Sequence, residues 1–326
     1  MKPLTYSLIA AALACGLASA TTTAYTTPVG YVTETLAPSQ YNLIGMPLQT
    51  PTTFAGLITG KAANTVSFTG VDLTVTLGAS GSSGTYVLEL PNGIIQEVTA
   101  WTATSITTPQ DISSYVVANT TTAVVRKAPT VAQIFGATNS SGLSATTDIS
   151  TADKIWIPDG MGGWSQVFYY NDGAGTEGWL DDQNNLAADR PLFYADALYV
   201  QRVAGSSISL TISGEVKKTP TSSALIPAWN FLGAVSPAGL TLANAGLENS
   251  ISHGTDPASC DNVWFQLPGG TYQVCFFYDD GAGTTGWLDQ DNNIVNDLPF
   301  QPGFLIYNRG AGKQLTVGVP SFYTTL

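Results

Sequence analysis

Positive charge is scarce in this sequence. Eleven Lys and Arg stand against 23 Asp and Glu in 326 residues, a net charge of −12. A nucleic-acid surface needs clustered Lys and Arg to displace phosphate counterions, so that class of partner is excluded. There is a single histidine, His253, and no H-E-x-x-H, G-x-S-x-G or P-loop string. Ser252-His253-Gly254-Thr255-Asp256 holds the residue types of a hydrolytic triad, but a triad is made by three-dimensional placement, and His253 reads as a loop residue. Disorder is excluded as well. Disordered chains are charge-rich and poor in aromatics, whereas this one is 10% charged and 10% aromatic. Past the N-terminus no apolar run approaches the length of a transmembrane helix. What remains is rich in Thr, Ser, Gly and Asn, the composition of an extracellular β protein.

Residues 1–20, MKPLTYSLIAAALACGLASA, read as a secretory signal peptide. Lys2 supplies the positive start, Leu8 to Leu17 the short apolar stretch, and Ala18-Ser19-Ala20 the small-residue cleavage site. A cut before Cys15 would leave a lipid anchor, but Ala12 stands where such a site usually has Leu. The exported chain keeps Cys260 and Cys275. In an oxidising compartment an isolated pair is most simply a disulfide, here closing a loop of about 15 residues and contributing about 3 kcal/mol in the chain-entropy picture.

The chain carries a duplication. Residues 171–186 and 279–294 agree at eleven of sixteen positions around the loop DGAGTxGWLDxxNN, and the register extends from Asp153/Asp261 through Trp156/Trp264 to Pro191/Pro299. Each repeat opens alike, with Tyr41-Asn-Leu-Ile-Gly45 and Trp229-Asn-Phe-Leu-Gly233. Short amphipathic stretches at Thr130–Gly136 and Leu240–Leu247 predict the only helices. Repeat one is therefore 41–48 plus 129–214, interrupted by an insertion at 49–128, and repeat two is 229–318. The expected division is 21–217 for the first module and 218–326 for the second. The boundary lies at the polar, Pro-containing Lys217–Ser223. The insertion reads as β: Val71–Leu77 alternates with period two, Tyr86–Leu90 is the return strand, and Pro91-Asn-Gly93 is turn chemistry. Ser207–Ser213 and Gln314–Gly318 close the repeats as β-branched strands. The fold class is all-β, as tandem sandwich-like antiparallel modules.

The order Asn42–Pro47 (NLIG-x-P), Tyr86–Thr104, Val125-Arg-Lys127, Thr130–Leu143 (AQIFGAT) and Gly162–Trp179 (GGW-x-x-x-YY…GW) resembles an uncharacterised family of secreted, paralogous proteins of Verrucomicrobia-type bacteria. More loosely, Trp229–Gly233 with Gln301–Ile306 resembles surface-protein β modules that open on WNL-x-G-NP. The family has no established activity, so the resemblance implies an extracellular or cell-surface location and a β architecture, not a chemistry.

The duplicated loop is the candidate site. Asp172, Asp181, Asp182, Asp280, Asp289 and Asp291 offer oxygen ligands for calcium, although the spacing is not D-x-D-x-D-G and no bidentate Glu closes it. The alternative is an ordinary polar turn. Trp179 and Trp287, with Asp181, Asp289, Asn184 and Asn292, could stack on and hydrogen-bond a sugar; the alternative is that these tryptophans are core. Trp164, Tyr169, Tyr170, Tyr272, Phe277 and Tyr278 lie on adjacent strands. Paired carboxylates for glycoside cleavage need only a fixed separation, and no pair stands out in the sequence. Three functions follow in order. The first is a non-enzymatic extracellular structural or adhesion protein that self-associates. The second is a polysaccharide-binding module, and the third a glycoside-active enzyme. No cofactor is expected apart from calcium.

Overall fold

The computed structural model of the chain describes residues 27–81, 84–159, 162–203, 205–236 and 238–325. Residues 1–20, expected as an export signal, lie outside the described residues. The fold is all-β, and the described residues form six antiparallel sheets and three single-turn α-helices. No helix among the described residues is long and apolar enough to cross a membrane.

The two repeats build the same sheet. In repeat one the strand order is Glu177–Asp181, Trp164–Asn171, Lys154–Pro158, Leu198–Gln201, Tyr41–Ile44. In repeat two it is Thr285–Asp289, Tyr272–Asp279, Asn262–Gln266, Gly303–Asn308, Ala228–Gly233. A two-stranded ribbon accompanies each sheet: Val29–Leu36 with Ile208–Glu215, and Thr221–Leu225 with Lys313–Val317. Period-two alternation sends one set of side chains inward. Ile155, Val167, Tyr169, Trp179 and Val200 fill the first core; Val263, Phe265, Cys275, Trp287 and Ile306 fill the second.

Equivalent polar residues lock equivalent turns. Asn42 accepts from Ala37 N (2.8 Å) and donates to Ala37 O (3.0 Å) and Val200 O (3.1 Å). Asn230 accepts from Ile226 N (2.8 Å) and donates to Ile226 O (2.9 Å). Asp153 and Asp261 are fully buried. Asp153 accepts from Ser144 N, Val203 N and Arg202 Nε at 2.6–2.7 Å. Asp261 accepts from Ser252 N, Arg309 N and the Lys313 ammonium. Burial raises the Asp261 carboxyl, but Lys313 and the two amides outweigh it and hold the group below the usual carboxylate range.

The expected short helices form at Val131–Phe135 and Leu242–Ala245. The first starts with a reciprocal cap between Thr130 and Gln133, and in the second Asn244 Oδ1 accepts from Thr241 N at 2.7 Å. Val71–Leu77, expected as a strand, instead contains a helical turn at Leu73–Thr76. Asp72 caps it by accepting from Thr74 N, and Leu73 and Leu77, four apart, are buried while Val75 is exposed. At so short a length the period-two pattern also fits a helical face, and the cap decides.

The insertion forms two sheets, Thr52–Leu57/Thr122–Lys127/Tyr86–Glu89/Ile95–Glu97 and Gly60–Ala62/Thr65–Ser67/Ser105–Thr107/Ala100–Trp101, around its own core. Its seam with the repeats is ionic. Glu89 accepts from Gln49 and from the Tyr194 hydroxyl, and it faces Arg126 (3.6 Å) and Lys217 (4.0 Å). Arg126 also pairs with Glu215 at 2.6 Å. Lys217, expected in a polar linker, is 2% exposed. Burial depresses its ammonium, and Glu89 opposes that shift.

Removing Glu89 leaves Lys217 buried without its counter-ion, while Arg126 keeps only Glu215. Glu89→Ala is expected to cost about 3–5 kcal/mol. The measurement is the shift of the urea unfolding midpoint at unchanged slope.

Candidate functional site

The repeated loops are closed turns. Asp172 Oδ1 accepts from Ala174 N and Thr176 N, and Asp280 Oδ1 from Ala282 N and Thr284 N, at 2.8–3.0 Å. These amides hold both carboxyls below their usual range. Asp181 accepts from Gln183 N and Asn185 N, and Asp289 from Asp291 N and Asn293 N. Asn184 and Asn292 sit at φ +61° and +63°, the left-handed corner that Asn tolerates. Asp182 and Asp291 point outward as exposed turn residues. Among the described residues no group of three or more His, Cys, Asp or Glu is placed to hold a metal. The hydrogen bonds that these aspartates make are those of polar turns.

Trp179 and Trp287 are core residues, each 1% exposed, so neither presents a stacking face. Trp179 Nε1 donates to Gly136 O at 2.8 Å, and its ring packs on Phe135 and Tyr169. The expected Cys260–Cys275 disulfide is not formed. Both are buried free thiols; Cys260 Sγ donates to Asp256 O at 3.4 Å, while Cys275 pairs with Val263 inside the sheet. Burial pushes their thiols up to about 11 and about 12, so both stay protonated.

The exposed aromatics lie on the other face of the sheets. Strand register places Trp156 beside Tyr199, and Trp264 beside Leu305; Tyr41 lies beside Gln201, and Trp229 beside Tyr307. The outer faces of the two repeats meet along a cleft of about 670 Å³. Tyr41, Trp156, Trp164 and Tyr199 line it from repeat one; Trp229, Phe231, Trp264 and Tyr272 line it from repeat two. The equivalent residues Tyr41 and Trp229 form the lips, 44% and 41% exposed. Trp164 packs edge-on against Phe231 at 4.6 Å, and the Tyr199 and Tyr272 hydroxyls share a 2.7 Å hydrogen bond across the floor. Burial pushes both phenols up. Gln266 reaches over the seam, accepting from Leu43 N (2.7 Å) and donating to Tyr41 O (2.8 Å). The Trp264 indole N–H is buried and has no hydrogen-bond partner. The lining holds eight aromatic rings, two Gln, Leu305 and two Gly, and no Lys, Arg, Asp or Glu. Trp164 and Tyr272 were among the adjacent aromatics in the sequence. Trp156 and Trp264 were visible only as repeat markers.

A larger cavity of about 970 Å³ adjoins the cleft where the insertion meets both repeats, and Trp164, Trp229 and Phe231 belong to both. Glu97 and Asp196 line it. Burial, then the charge of Glu97, raises Asp196 from 3.8 to about 8; burial raises Glu97 as well. This is a carboxyl pair that sequence reading did not single out, because its members are 99 residues apart.

Comparison with protein-family models, with curated proteins and with solved structures found no match.

A carboxyl raised on folding contributes its full stability below the unfolded pKa and loses it as pH rises toward the folded value. For Asp196 that window runs from 3.8 to about 8. Asp196→Asn is therefore expected to raise the melting temperature relative to the parent at about pH 8, with the advantage gone near pH 4. Calorimetric scans at the two pH values check it.

Proposed function

We propose that the chain is an extracellular, non-catalytic glycan-binding protein and that the inter-repeat aromatic cleft is its binding surface. The observation that carries the reading is the cleft lining: eight aromatic rings, two half-open lips, amides and hydroxyls, and no charged side chain. Flat rings take the C–H faces of pyranose rings, and the Tyr41 hydroxyl with the Gln40 amide oxygen offers hydrogen bonds to sugar hydroxyls. The reading of the N-terminal segment as an export signal supports an encounter with extracellular polysaccharide. Surface adhesion, with its expected self-association, fits the same chemistry when the polymer belongs to a matrix or a cell wall.

The site differs from the one expected. Trp287→Ala is expected to unfold the second repeat, at a cost of about 3–5 kcal/mol. Trp264→Ala should keep a cooperative melt and lose retention on insoluble polysaccharide. Co-sedimentation of the full chain with a panel of polymers is the measurement. Retention of the Trp264→Ala variant equal to the parent's on the bound polymer overturns the proposal. Retention is expected to persist in chelator, since the loop carboxylates already accept backbone amides.

A further inference from the structure

The two equivalent indoles of the cleft, Trp156 and Trp264, differ in one respect. Trp156 Nε1 donates to Gln201 Oε1 at 3.0 Å. The Trp264 N–H is buried and has no partner among the described residues. Strand register explains the difference. Lys154 stands across from Gln201 and Asn262 across from Tyr307, so Tyr307 holds the place in repeat two that Gln201 holds in repeat one. A phenol ring there packs on Trp229 at 4.9 Å and brings no amide oxygen to the indole. A buried donor without an acceptor is destabilising, and an acceptor arriving on a ligand removes that cost. The Trp287 N–H also lacks a partner, but that ring is sealed in the second core, whereas Trp264 lines the cleft. The cleft offers one acceptor as well. Gln40 Nε2 donates to Asn42 Oδ1 at 3.2 Å, which leaves the Gln40 amide oxygen open to a ligand. Gln266, by contrast, has both ends engaged, on Leu43 N and Tyr41 O, and the Tyr199 and Tyr272 hydroxyls bind one another.

We infer that the cleft takes a chain of N-acetylated hexosamines, and that Trp264 sets this specificity by donating its indole N–H to an acetamido carbonyl. The inference rests on the glycan reading of the cleft and narrows it to one class of sugar. The donor is recessed. The Trp264 ring meets Trp229 at 5.1 Å and 73°, and Tyr272 at 6.2 Å and 61°. A sugar hydroxyl oxygen lies one bond from the pyranose ring, whereas an acetamido carbonyl oxygen lies three bonds from it and reaches further in. Trp229, a half-exposed lip, is the ring that gives way as the acetamide enters. A secondary amide carries one acceptor group and one donor, the complement of the Trp264 N–H and the Gln40 oxygen. Its methyl group finds aromatic rings and Leu305. The lining has no charged side chain to balance a uronate or an ammonium, and a net charge of −12 repels acidic polymers.

The test is calorimetric titration of the full chain with N-acetylglucosamine hexamer and with the glucose hexamer of the same linkage, which differs only in carrying hydroxyl for acetamido. The acetylated hexamer is expected to bind at least about tenfold tighter. Trp264→Phe keeps an aromatic face and removes the donor, and it is expected to bring the two hexamers within about twofold of each other. Tyr307→Gln gives repeat two the acceptor that repeat one already has, and it is expected to do the same with the indole in place. Trp264→Ala removes the ring as well and is expected to lose both hexamers. If the parent binds the two equally, or the glucose hexamer more tightly, the acetamido inference is overturned and the cleft reading stands. A preference kept by a cooperatively melting Trp264→Phe variant overturns it too; where that variant does not melt cooperatively, a preference kept by Tyr307→Gln has the same meaning. If neither hexamer nor any polymer of the panel is held, both readings fall.

Discussion

Two backbones approach one another at Gly45 and Gly303 with no room for a side-chain atom. A Cβ on Gly45 would lie 2.0 Å from Pro302 O, and one on Gly303 would lie 2.7 Å from the Ile44 carbonyl carbon. The contact is reciprocated on the other side. Gly233, the counterpart of Gly45, donates its N–H to Ala195 O at 2.7 Å, and a Cβ there would meet Tyr194 O at 2.6 Å. The end of each repeat's opening strand thus abuts the start of the other repeat's closing sheet strand, the reciprocity of a two-fold dimer achieved within one chain. Glycine at these places lets the two sheets come close enough for their outer faces to form opposite walls of one cleft. Gln266, clamping Leu43 and Tyr41, continues the seam in hydrogen bonds.

The insertion could not be a loose appendage on such a frame. Its own core is separate, but Val87 and Ile95 pack into the core of the first repeat. Glu89 draws together the insertion, through Arg126; the first repeat, through Tyr194 and Gln49; and the segment leading to the second, through Lys217. Buried charges are costly unless balanced, so this junction is specific to one arrangement of the three parts. The same arrangement encloses the acidic cavity. Glu97 comes from the insertion and Asp196 from the first repeat, while Trp229 and Phe231 come from the second.

The duplicated turn illustrates how a strong sequence signal can point away from a site. DGAGTxGWLDxxNN repeats because it solves a folding problem twice. Its aspartates satisfy backbone amides, Asn184 and Asn292 turn the left-handed corner, and its tryptophan plugs a core. Trp156 and Trp264 apart, the aromatics of the cleft are less alike between repeats. Tyr41 faces Trp229 and Trp164 corresponds to Tyr272, so identity scoring ranks them below the turn. Their common property is a position on the outer sheet face, which appears only once strand register is known.

The sequence by itself determined the β class, the duplication, the interrupted first repeat and two of the short helical turns. All of these follow from local periodicity and turn chemistry, which act within a few residues or repeat at a constant offset. It did not determine which tryptophans are buried. Alternation tells a strand's two faces apart, but both faces here carry aromatics, and which one meets solvent depends on what packs against it. The separate thiols of Cys260 and Cys275, the burial of Lys217 and the approach of Glu97 to Asp196 were likewise decided by tertiary structure. Each depends on where distant segments settle when the two sheets close on each other and the insertion packs into their seam.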